Sequence, residues 1–308
     1  MAQTNQPLPA GFKLEDYRIE RQLSHGGFSI VYLARDAKDM PVAIKEYLPN
    51  SLALRGPDAV MPSVAAEHLA AFNHGLKCFF EEGRAVAKLS HPYLVRVTDF
   101  FRANGTVYLV MRYEVGRTLQ EIMRKRDGTL TEDFMRDIFG RLLDGLDEVH
   151  CNGLLHLDIK PGNIYLRDDG SPVLLDFGAA RQAMIEDGEQ LKSVYTPGYA
   201  APEQYRGRED LGPWTDLYAL GACMYACLHG RPPPPADDRL EADSLQPASK
   251  RWRGEYSTNF LALIDDCLQL DRRKRPKDAR TMQTALLDGT PLDGDDSMFG
   301  RLRRMFSS

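Results

Sequence analysis

The sequence predicts an α+β chain in which a small antiparallel β-rich part with one main helix precedes a larger helical part. β-rich stretches separated by glycine-containing turns occupy about the first 113 residues. Beyond them, apolar residues recur at the three- and four-residue spacing of helices. The 308 residues suffice for two lobes with a core each, and no repeat or linker divides the chain into independent domains.

Five stretches are predicted as strands, namely 17–23, 28–35, 41–47, 95–101 and 106–113. The first two flank His25-Gly26-Gly27, which predicts an antiparallel hairpin, and the last two flank the turn Asn104-Gly105. Lys45 lies on the third strand.

The stretch 48–75 contains prolines and glycines and is predicted as an insert or long loop with a helical second half, 64–72. A variable loop is favoured over a regulatory docking element. The main helix of the β-rich part follows, with one stripe formed by Phe79, Glu82, Val86 and Leu89. Glu82 is a carboxylate in an otherwise apolar stripe, so it needs a partner to be tolerated there.

In the helical part, Thr131 is predicted as an N-cap and Asn152-Gly153 as the end of the same helix. Its apolar face contains Phe134, Ile138, Leu142, Leu146 and Val149. The segment HLDIKPGN follows at once, and a short strand at 173–175 leads into DFG. Later helices are predicted at about 214–228 and 259–270.

The composition excludes several functional classes. A net charge of -5 gives no support to binding of nucleic acid or anionic membranes by the whole chain. The longest apolar run, 217–228, is too short for a membrane span, and the first residues lack the pattern of a secretory signal. The basic end, 299–308, is expected to be a solvated terminus, with contact to a membrane surface as the alternative.

Five irregularly spaced cysteines predict free thiols in a reducing compartment, and we expect the protein in the cytoplasm. Cys223 and Cys227 lie four residues apart on a predicted helix. Two buried core side chains are favoured over a metal-binding pair, because the sequence shows no second pair of ligands.

Four motifs occur in a fixed order: VAIK (42–45), HLDIKPGN (156–163), DFG (176–178) and APE (201–203). Each alone arises easily by chance, but the four in register are specific. In them the chain resembles the eukaryotic-type (Hanks-type) serine/threonine protein kinases over about 17–287. KEYLP (45–49), the insert and VLLDFGAARQ (173–182) are most similar to the bacterial branch.

The resemblance implies a bilobal protein-kinase-like fold and an ATP- and Mg²⁺-dependent enzyme that acts on protein serine or threonine hydroxyls, including its own. It divides the chain into a tail at 1–16, a kinase domain at 17–287 and a tail at 288–308. The N-lobe spans about 17–113 and the C-lobe about 117–287. Protein substrates are the expected partners; the oligomeric state is left open.

The resemblance also assigns roles in phosphoryl transfer. Lys45 would hold the α- and β-phosphates of ATP and pair with Glu82, with Glu81 as the alternative because the helix rotation is uncertain by one residue. Asp158 would accept or orient the proton of the attacking hydroxyl, and Lys160 would neutralise charge on the transferred phosphate. Asn163 and Asp176 would hold magnesium through oxygen ligands. Taken singly, these residues are also compatible with a strand lysine, a helix-edge charge and turn hydrogen bonds.

The glycine loop departs from the family pattern. In register, residues 24–31 read SHGGFSIV, so only Gly26 matches one of the three glycines in G-x-G-x-x-G, and serines occupy the other two positions. Gly27 is the additional small residue of the loop. We expect a working but stiffer lid over the phosphates, with a plain hairpin turn as the alternative.

The stretch 110–116 resembles the family's hinge, with Met111 guarding the back pocket. The main chain of Arg112 and Glu114 would then meet the adenine edge. The ring would lie between three further side chains: Val31, Ala43 and Tyr165. Apolar strand residues are more often simple core residues.

Lys160 and the segment Thr196-Pro197-Gly198-Tyr199 resemble serine/threonine rather than tyrosine kinases. Thr196 would hydrogen-bond near Asp158 and Lys160. Glu203 is expected to pair with Arg275, and Asp216 is expected to anchor the catalytic loop from a buried helix.

Leu157 occupies a position where many protein kinases carry an arginine that binds an activation-loop phosphate. Leucine cannot bind phosphate, so we expect activity that does not require phosphorylation by that route, although Ser193, Tyr195 and Thr196 remain possible targets. A Ser193→Ala variant is therefore expected to retain activity in a kinase assay. Near-complete loss of activity with the fold intact would contradict this expectation.

Two alternatives belong to other functional classes. A pseudokinase scaffold should have lost Lys45, Asp158, Asn163 or Asp176, and all four are present. The serines of the glycine loop and Leu157 keep this alternative open. A small-molecule phosphotransferase of related fold is disfavoured by Lys160, the APE stretch and Arg275, which build a platform for a peptide substrate. Assays on peptides and on small alcohols distinguish the two.

Overall fold

The computed structural model describes residues 5–125, 130–177, 195–206 and 208–287. The chain forms two compact units, the first composed of Met1–His91, Val95–Val115 and Phe177–Val194, and the second of Pro92–Leu94, Gly116–Asp176 and Tyr195–Ser308. The first is rich in strands and the second in helices, so the predicted α+β class and order of parts are confirmed.

The first unit contains a six-stranded antiparallel sheet in the order β1-β2-β3-β4-β8-β7. Its strands are β1 (Lys13–Leu14), β2 (Tyr17–His25), β3 (Ser29–Arg35), β4 (Pro41–Tyr47), β7 (Val97–Ala103) and β8 (Thr106–Arg112). All five predicted strands are present, and the predicted β2–β3 hairpin pairs His25 with Ile30 across the glycine pair. The first and last residues of each strand lie within two positions of the predicted bounds.

The two faces of this sheet carry different side chains, because successive strand residues point in opposite directions. Lys45 pairs with Val31 on β3 and with Leu109 on β8, so these three side chains share one face. Glu46, the next residue, lies on the other face opposite Ile30 and Tyr108, and all three are fully buried. The sheet therefore separates Lys45 from the buried Glu46.

One continuous helix, α1 (Leu69–Val86), packs against the Lys45 face. Gly75 and Gly83 allow the close approach, because an added Cβ would lie 2.1 Å from the Tyr47 hydroxyl and 2.1 Å from a Leu109 methyl, respectively. The predicted helical second half of the insert, 64–72, was wrong only at 64–65, and its last four residues belong to α1 rather than to the insert. Val64 belongs to a two-stranded sheet, β5 (Ala53–Leu54) with β6 (Ser63–Val64), and a 3₁₀ turn, Ala66–His68, precedes α1.

The second unit is mainly helical, with a three-stranded sheet in the order β11-β10-β9. Its elements are β9 (Gly116–Thr118), α2 (Leu119–Lys125), α3 (Glu132–Cys151), β10 (Ile164–Arg167), β11 (Pro172–Leu174), α4 (Pro213–His229), α5 (Ala236–Glu241), α6 (Ala248–Arg251), α7 (Thr258–Cys267) and α8 (Ala279–Leu287). Helix α4 is the predicted buried helix, and from Thr215 to Leu228 every one of its residues is buried.

Cys223 and Cys227 lie in the core on α4, and both thiols are free and fully buried. Burial raises the pKa of each thiol, so both stay protonated and act as small apolar side chains. Within the described ranges, no group of three or more histidine, cysteine or acidic side chains is placed to hold a metal ion. In the same part of the chain, no helix combines the length and hydropathy that a bilayer crossing requires.

Candidate active site

The segment HLDIKPGN lies between α3 and β10 in the second unit. Helix α3 begins at the predicted N-cap, where the Thr131 hydroxyl accepts the Phe134 N–H at 3.4 Å. It ends at Cys151, and Gly153 beyond it has a φ of 70°, which favours glycine. At its far end the segment closes in a turn, because Asn163 N–H donates to the Lys160 carbonyl at 2.9 Å.

Asp216 on α4 anchors the start of this loop. Its two carboxylate oxygens accept the main-chain N–H groups of His156 and Leu157, each at 2.8 Å. His150 Nε2 lies 2.9 Å from the same carboxylate. Burial raises the pKa of Asp216, but these hydrogen bonds outweigh burial and lower the pKa below its usual value. The charged carboxylate thereby holds Leu157 at a φ of 64°, a conformation that a leucine rarely adopts.

His156 is fully buried beneath the loop. Its Nε2 lies 2.9 Å from the Leu175 carbonyl, which can only accept, so Nε2 carries the hydrogen. Its Nδ1 accepts the Asp158 N–H at 3.3 Å. Burial lowers the pKa of His156 even though Asp216 and Asp158 act in the opposite direction. The imidazole is therefore neutral, in a single tautomer that fixes the main chain at Asp158.

This histidine predicts a pH dependence of stability. Because its pKa is lower in the folded chain than the usual 6.5, the unfolded chain takes up the proton first as the pH falls. The contribution of His156 is present in full above about pH 6.5 and declines below it, by at most about 1.4 kcal/mol for each pH unit. Urea unfolding at pH 7.5 and 5.5 should show a smaller difference for His156→Gln than for the unaltered chain. An equal difference in the two proteins would contradict the assignment.

Asp158 is the centre of a hydrogen-bonded cluster. Lys160 Nζ lies 3.0 and 2.9 Å from its two carboxylate oxygens, and Asn163 Nδ2 donates to one of them at 2.8 Å. The Thr196 hydroxyl lies 3.3 Å from the other oxygen and 3.2 Å from Lys160 Nζ. The structure thus brings together four residues from two distant parts of the sequence, all within the second unit.

Asn163 directly precedes β10, and Asp176 lies two residues after β11. Because β10 and β11 are paired antiparallel, the two residues lie at the same end of the hairpin. Leu175 N–H, one residue before Asp176, donates to the Asn163 carbonyl at 2.8 Å. Asp176 itself has a φ of 56°. Tyr165 on β10 is partly buried, and its hydroxyl donates to the Gly116 carbonyl at 2.9 Å. Gly178 of the DFG motif lies outside the described residues, as does Ser193.

Lys45 lies in the first unit and is 6% exposed. Its Nζ lies 5.6 Å from the centre of the Phe79 ring on α1. Val31 and Ala43 share its face of the sheet and are only partly buried, in contrast to the fully buried Ile44 between Ala43 and Lys45. The sheet therefore presents two accessible apolar side chains beside a buried ammonium group.

The structure distinguishes Glu82 from Glu81 on α1. Glu82 is 9% exposed and faces the sheet side, next to Gly83, whose position lies against Leu109. Glu81 has a side chain that is 52% exposed and lies 3.3 Å from Arg84. Leu109 is also the strand neighbour of Lys45. Glu82, rather than Glu81, is the carboxylate on the Lys45 side of the helix.

The glycine loop is a tight, exposed hairpin end. Gly26 N–H donates to the Ser29 carbonyl at 2.9 Å, and a Cβ added at Gly27 would meet no atom within 4 Å. In the stretch that resembles the hinge, Met111 is buried, and the Arg112 N–H already donates to the Arg96 carbonyl at 2.9 Å. The Arg112 N–H is thus already engaged within the first unit.

The segment around APE is fixed to the second unit by charge. Arg275 is bidentate on Glu203, with distances of 2.7 and 3.0 Å, and both residues are buried. The Thr215 hydroxyl donates to Glu203 at 2.8 Å. Gln204 Nε2 donates to the Leu157 carbonyl at 3.2 Å. This neutral hydrogen bond links the segment to the HLDIKPGN loop at Leu157, the position where many protein kinases carry an arginine.

Sequence reasoning missed His150, Gln204 and Thr215. His150 lies near the end of α3, six residues before His156, and no motif marks it as the partner of Asp216. Gln204 directly follows APE, and that adjacency was the available signal for it.

The model of the family described as "Protein kinase domain" matches residues 17–287. The curated serine/threonine-protein kinase PknA from Nostoc sp. is 31% identical over 88% of this chain and 46% of its own. Serine/threonine-protein kinase PknL from Mycobacterium tuberculosis is 33% identical over 78% of this chain and 55% of its own. The chain thus spans about half the length of the curated relatives it matches.

Among solved structures, "PpkA-294 apo form" is similar with a TM-score of 0.82 and 35% sequence identity. The match covers 91% of this chain and 99% of that one.

Proposed function

The chain belongs to the protein kinase family, and on that premise we propose that it is a serine/threonine protein kinase. It would transfer the γ-phosphoryl group of ATP to serine and threonine hydroxyls of proteins, including its own. The observation that carries the proposal is the cluster in which Lys160, Asn163 and Thr196 all lie within hydrogen-bond distance of the Asp158 carboxylate. A turn that only connects a helix to a strand would not require these three side chains around one carboxylate.

In this proposal Asp158 orients the acceptor hydroxyl and takes up its proton. The carboxylate is suited to this because Asn163 and Lys160 fix its two oxygens in direction. Lys160 also places a positive charge beside the position of the transferred phosphate. The Thr196 hydroxyl lies against both groups and ties the segment that would receive the peptide to the catalytic loop.

The donor set fits magnesium. Asn163 donates through its amide nitrogen to Asp158, so its amide oxygen would serve as the metal ligand, and Asp176 would supply a carboxylate. Mg²⁺ prefers oxygen ligands and takes one or two from the protein together with phosphates and water, so the lack of a three-carboxylate cluster in the described ranges is compatible with it. When bound, the ion would neutralise developing charge on the phosphate oxygens.

The first unit offers a matching set for ATP. Lys45, held at low exposure beside Phe79, would bind the α- and β-phosphates, and Glu82 on the same side of α1 would orient it. Gly26 and Gly27 would supply small, exposed main-chain positions over the phosphates. Val31 and Ala43 would contact the adenine ring, and the main chain of Arg112 and Glu114 would meet its edge.

Residues 17–287 would form the kinase domain, with a tail at 288–308. Residues 5–16 of the expected N-terminal tail pack on the first unit, because β1 pairs with β2 and the side chains of Leu8 and Leu14 are buried. We place the protein in the cytoplasm, since none of its five cysteines forms a disulfide. The Gln204–Leu157 link supports activity without activation-loop phosphorylation, because it joins the segment to the catalytic loop without a phosphate.

A labelling assay that compares classes of phosphate acceptor tests the proposal. The purified chain is incubated with γ-labelled ATP and Mg²⁺, together with serine, threonine and tyrosine peptides and with small alcohols. We expect label on serine and threonine peptides and on the chain itself, and none on tyrosine or small alcohols. Label on small alcohols alone would assign a small-molecule phosphotransferase. Nucleotide binding without any transfer would assign a scaffold.

A further inference from the structure

We propose that the N-terminal segment 5–8, the insert stretch 49–55 and Glu46 on β4 form a clamp that holds the glycine loop, residues 24–29, in position for nucleotide. The inference rests on the proposed function for its consequence in ATP binding, although the clamp itself is a property of the first unit. The clamp has three parts: a buried ion pair, an asparagine hub and a main-chain tether.

The ion pair joins Glu46 on β4 to Arg55 in the insert. The guanidinium is bidentate on the carboxylate, at 2.6 and 2.7 Å, and both side chains are fully buried. The hydroxyls of Tyr32 and Tyr108 each donate to the same carboxylate at 2.7 Å. Four donors therefore satisfy Glu46, and an arginine so constrained fixes the insert against the outer face of the sheet, opposite to Lys45.

Asn5 is the hub between this pair and the turn. Its amide oxygen accepts the Arg55 main-chain N–H at 2.5 Å, and its Nδ2 donates to the Ala53 carbonyl at 3.1 Å and to Asn50 Oδ1 at 2.7 Å. Arg55 Nε in turn donates to the Gln6 carbonyl at 2.7 Å. Asn5 is 1% exposed, so these hydrogen bonds are shielded from water.

The tether reaches the loop itself. Asn50 N–H donates to the Gly27 carbonyl at 2.8 Å, and Leu48 N–H donates to the Phe28 carbonyl at 2.9 Å. Because a peptide unit is planar and trans, a Gly27 carbonyl held toward Asn50 turns the Phe28 N–H to the opposite side. The clamp thus sets the direction of a loop amide before any phosphate arrives, and such preorganisation favours binding.

The clamp also accounts for the serines at positions 24 and 29. A loop with three glycines relies on conformational freedom to fold over phosphates, whereas a loop held by external hydrogen bonds does not need that freedom. Ser29 is buried and pairs with Tyr47 on β4, adjacent to the tether. Hydrogen bonds from the insert, rather than additional glycines, thus shape this phosphate-binding loop.

The test removes the Asn50–Gly27 hydrogen bond of the tether by a single substitution. Leu52 N–H donates to the Pro49 carbonyl at 3.1 Å, so Asn50 is the second residue of a turn, where proline is favoured. Asn50→Pro removes the N–H that binds Gly27 and preserves the turn. Asn50→Ala removes the same side chain but keeps the N–H, and it is the matched control. Asn5→Ala is a second route that leaves the turn sequence unaltered.

Amide hydrogen exchange of the full chain without nucleotide is measured over 24–30, with thermal unfolding as a check on folding. We expect faster exchange in this stretch for Asn50→Pro than for Asn50→Ala, because both variants lose the side-chain hydrogen bond to Asn5 and only Asn50→Pro also loses the N–H. Asn5→Ala is expected to exchange faster than the unaltered chain. In the active enzyme, Asn50→Pro should raise the KM for ATP by about two- to tenfold, the effect of one net hydrogen bond, with the KM for peptide unchanged.

Equal loop exchange in Asn50→Pro and Asn50→Ala overturns the proposal, as does an unchanged KM for ATP in an active kinase. If the unaltered chain transfers no phosphate but exchange still rises in Asn50→Pro, the proposed function fails and the clamp stands.

Discussion

Asp158→Asn lowers the kcat for peptide phosphorylation by about 10²- to 10⁴-fold, the usual contribution of a general base, and changes the KM for ATP little. Asparagine has the same shape as aspartate and can still accept a hydrogen bond. It carries no charge, however, so it neither takes up the hydroxyl proton nor balances Lys160, which lies within 3.0 Å of both oxygens. Steady-state kinetics with varied ATP and varied peptide measure the two effects separately.

The matched control is Asp168→Asn. Asp168 is exposed in the same unit, ten residues further along the chain. The same chemical change there should leave kcat within about twofold of the unaltered enzyme, because surface substitutions have small effects. Retention of more than about a tenth of kcat in Asp158→Asn would contradict the assigned role of general base.

Glu203→Gln lowers the free energy of unfolding by about 3–5 kcal/mol, the usual effect of breaking a buried ion pair from one side. Arg275 would keep its charge in a buried position, with only carbonyl groups such as those of Gln269 and Trp214 to receive its hydrogen bonds. Thr215 would also lose the charge of its acceptor. Urea unfolding monitored by circular dichroism measures the change.

Glu209→Gln is the control for this prediction, because Glu209 is exposed in the neighbouring 3₁₀ turn. We expect its unfolding free energy to stay within about 0.5 kcal/mol of the unaltered chain. A loss below about 1 kcal/mol in Glu203→Gln would show that the Arg275 pair behaves as an exposed one.

The strands and the long helices could be predicted because their patterns are long and regular. The first turns of α1 are an exception. The apolar stripe of this helix begins with Phe72 and Leu76, ahead of Phe79, but these two residues lie in the stretch that was predicted as the insert. Gly75 was interpreted as part of a loop, because glycine disfavours helices. The structure gives the reason for the glycine: its missing side chain accommodates the Tyr47 ring. Tertiary packing therefore overrides local propensity at this position.

The short strands β9 and β10 could not be predicted, because three or four residues are too few to show a period of two. Gly116 at the start of β9 has a φ of 155°, and an added Cβ would lie 2.0 Å from the Leu166 carbonyl. The glycine is visible in the sequence, but its close strand neighbour is not.

The residues of the candidate site were predictable from motifs, since Asp158, Lys160 and Asn163 lie within six positions of one another. The ion pair of Glu46 and Arg55 was not, although Glu46 directly follows Lys45. Arg55 lies in a proline- and glycine-rich stretch without periodicity. Its partner depends on how the insert folds back over the sheet, and no local pattern encodes that path.

The most direct test of the central claim, that Lys45 and Asp158 serve phosphoryl transfer, is one labelling experiment. The purified chain, Lys45→Met and Asp158→Asn are each incubated with labelled ATP and Mg²⁺, and the modified sites are mapped by mass spectrometry. We predict label on serine and threonine in the unaltered chain and its loss in both variants while they remain folded. Equal labelling of all three proteins, or none in a folded chain that binds ATP, would contradict the claim.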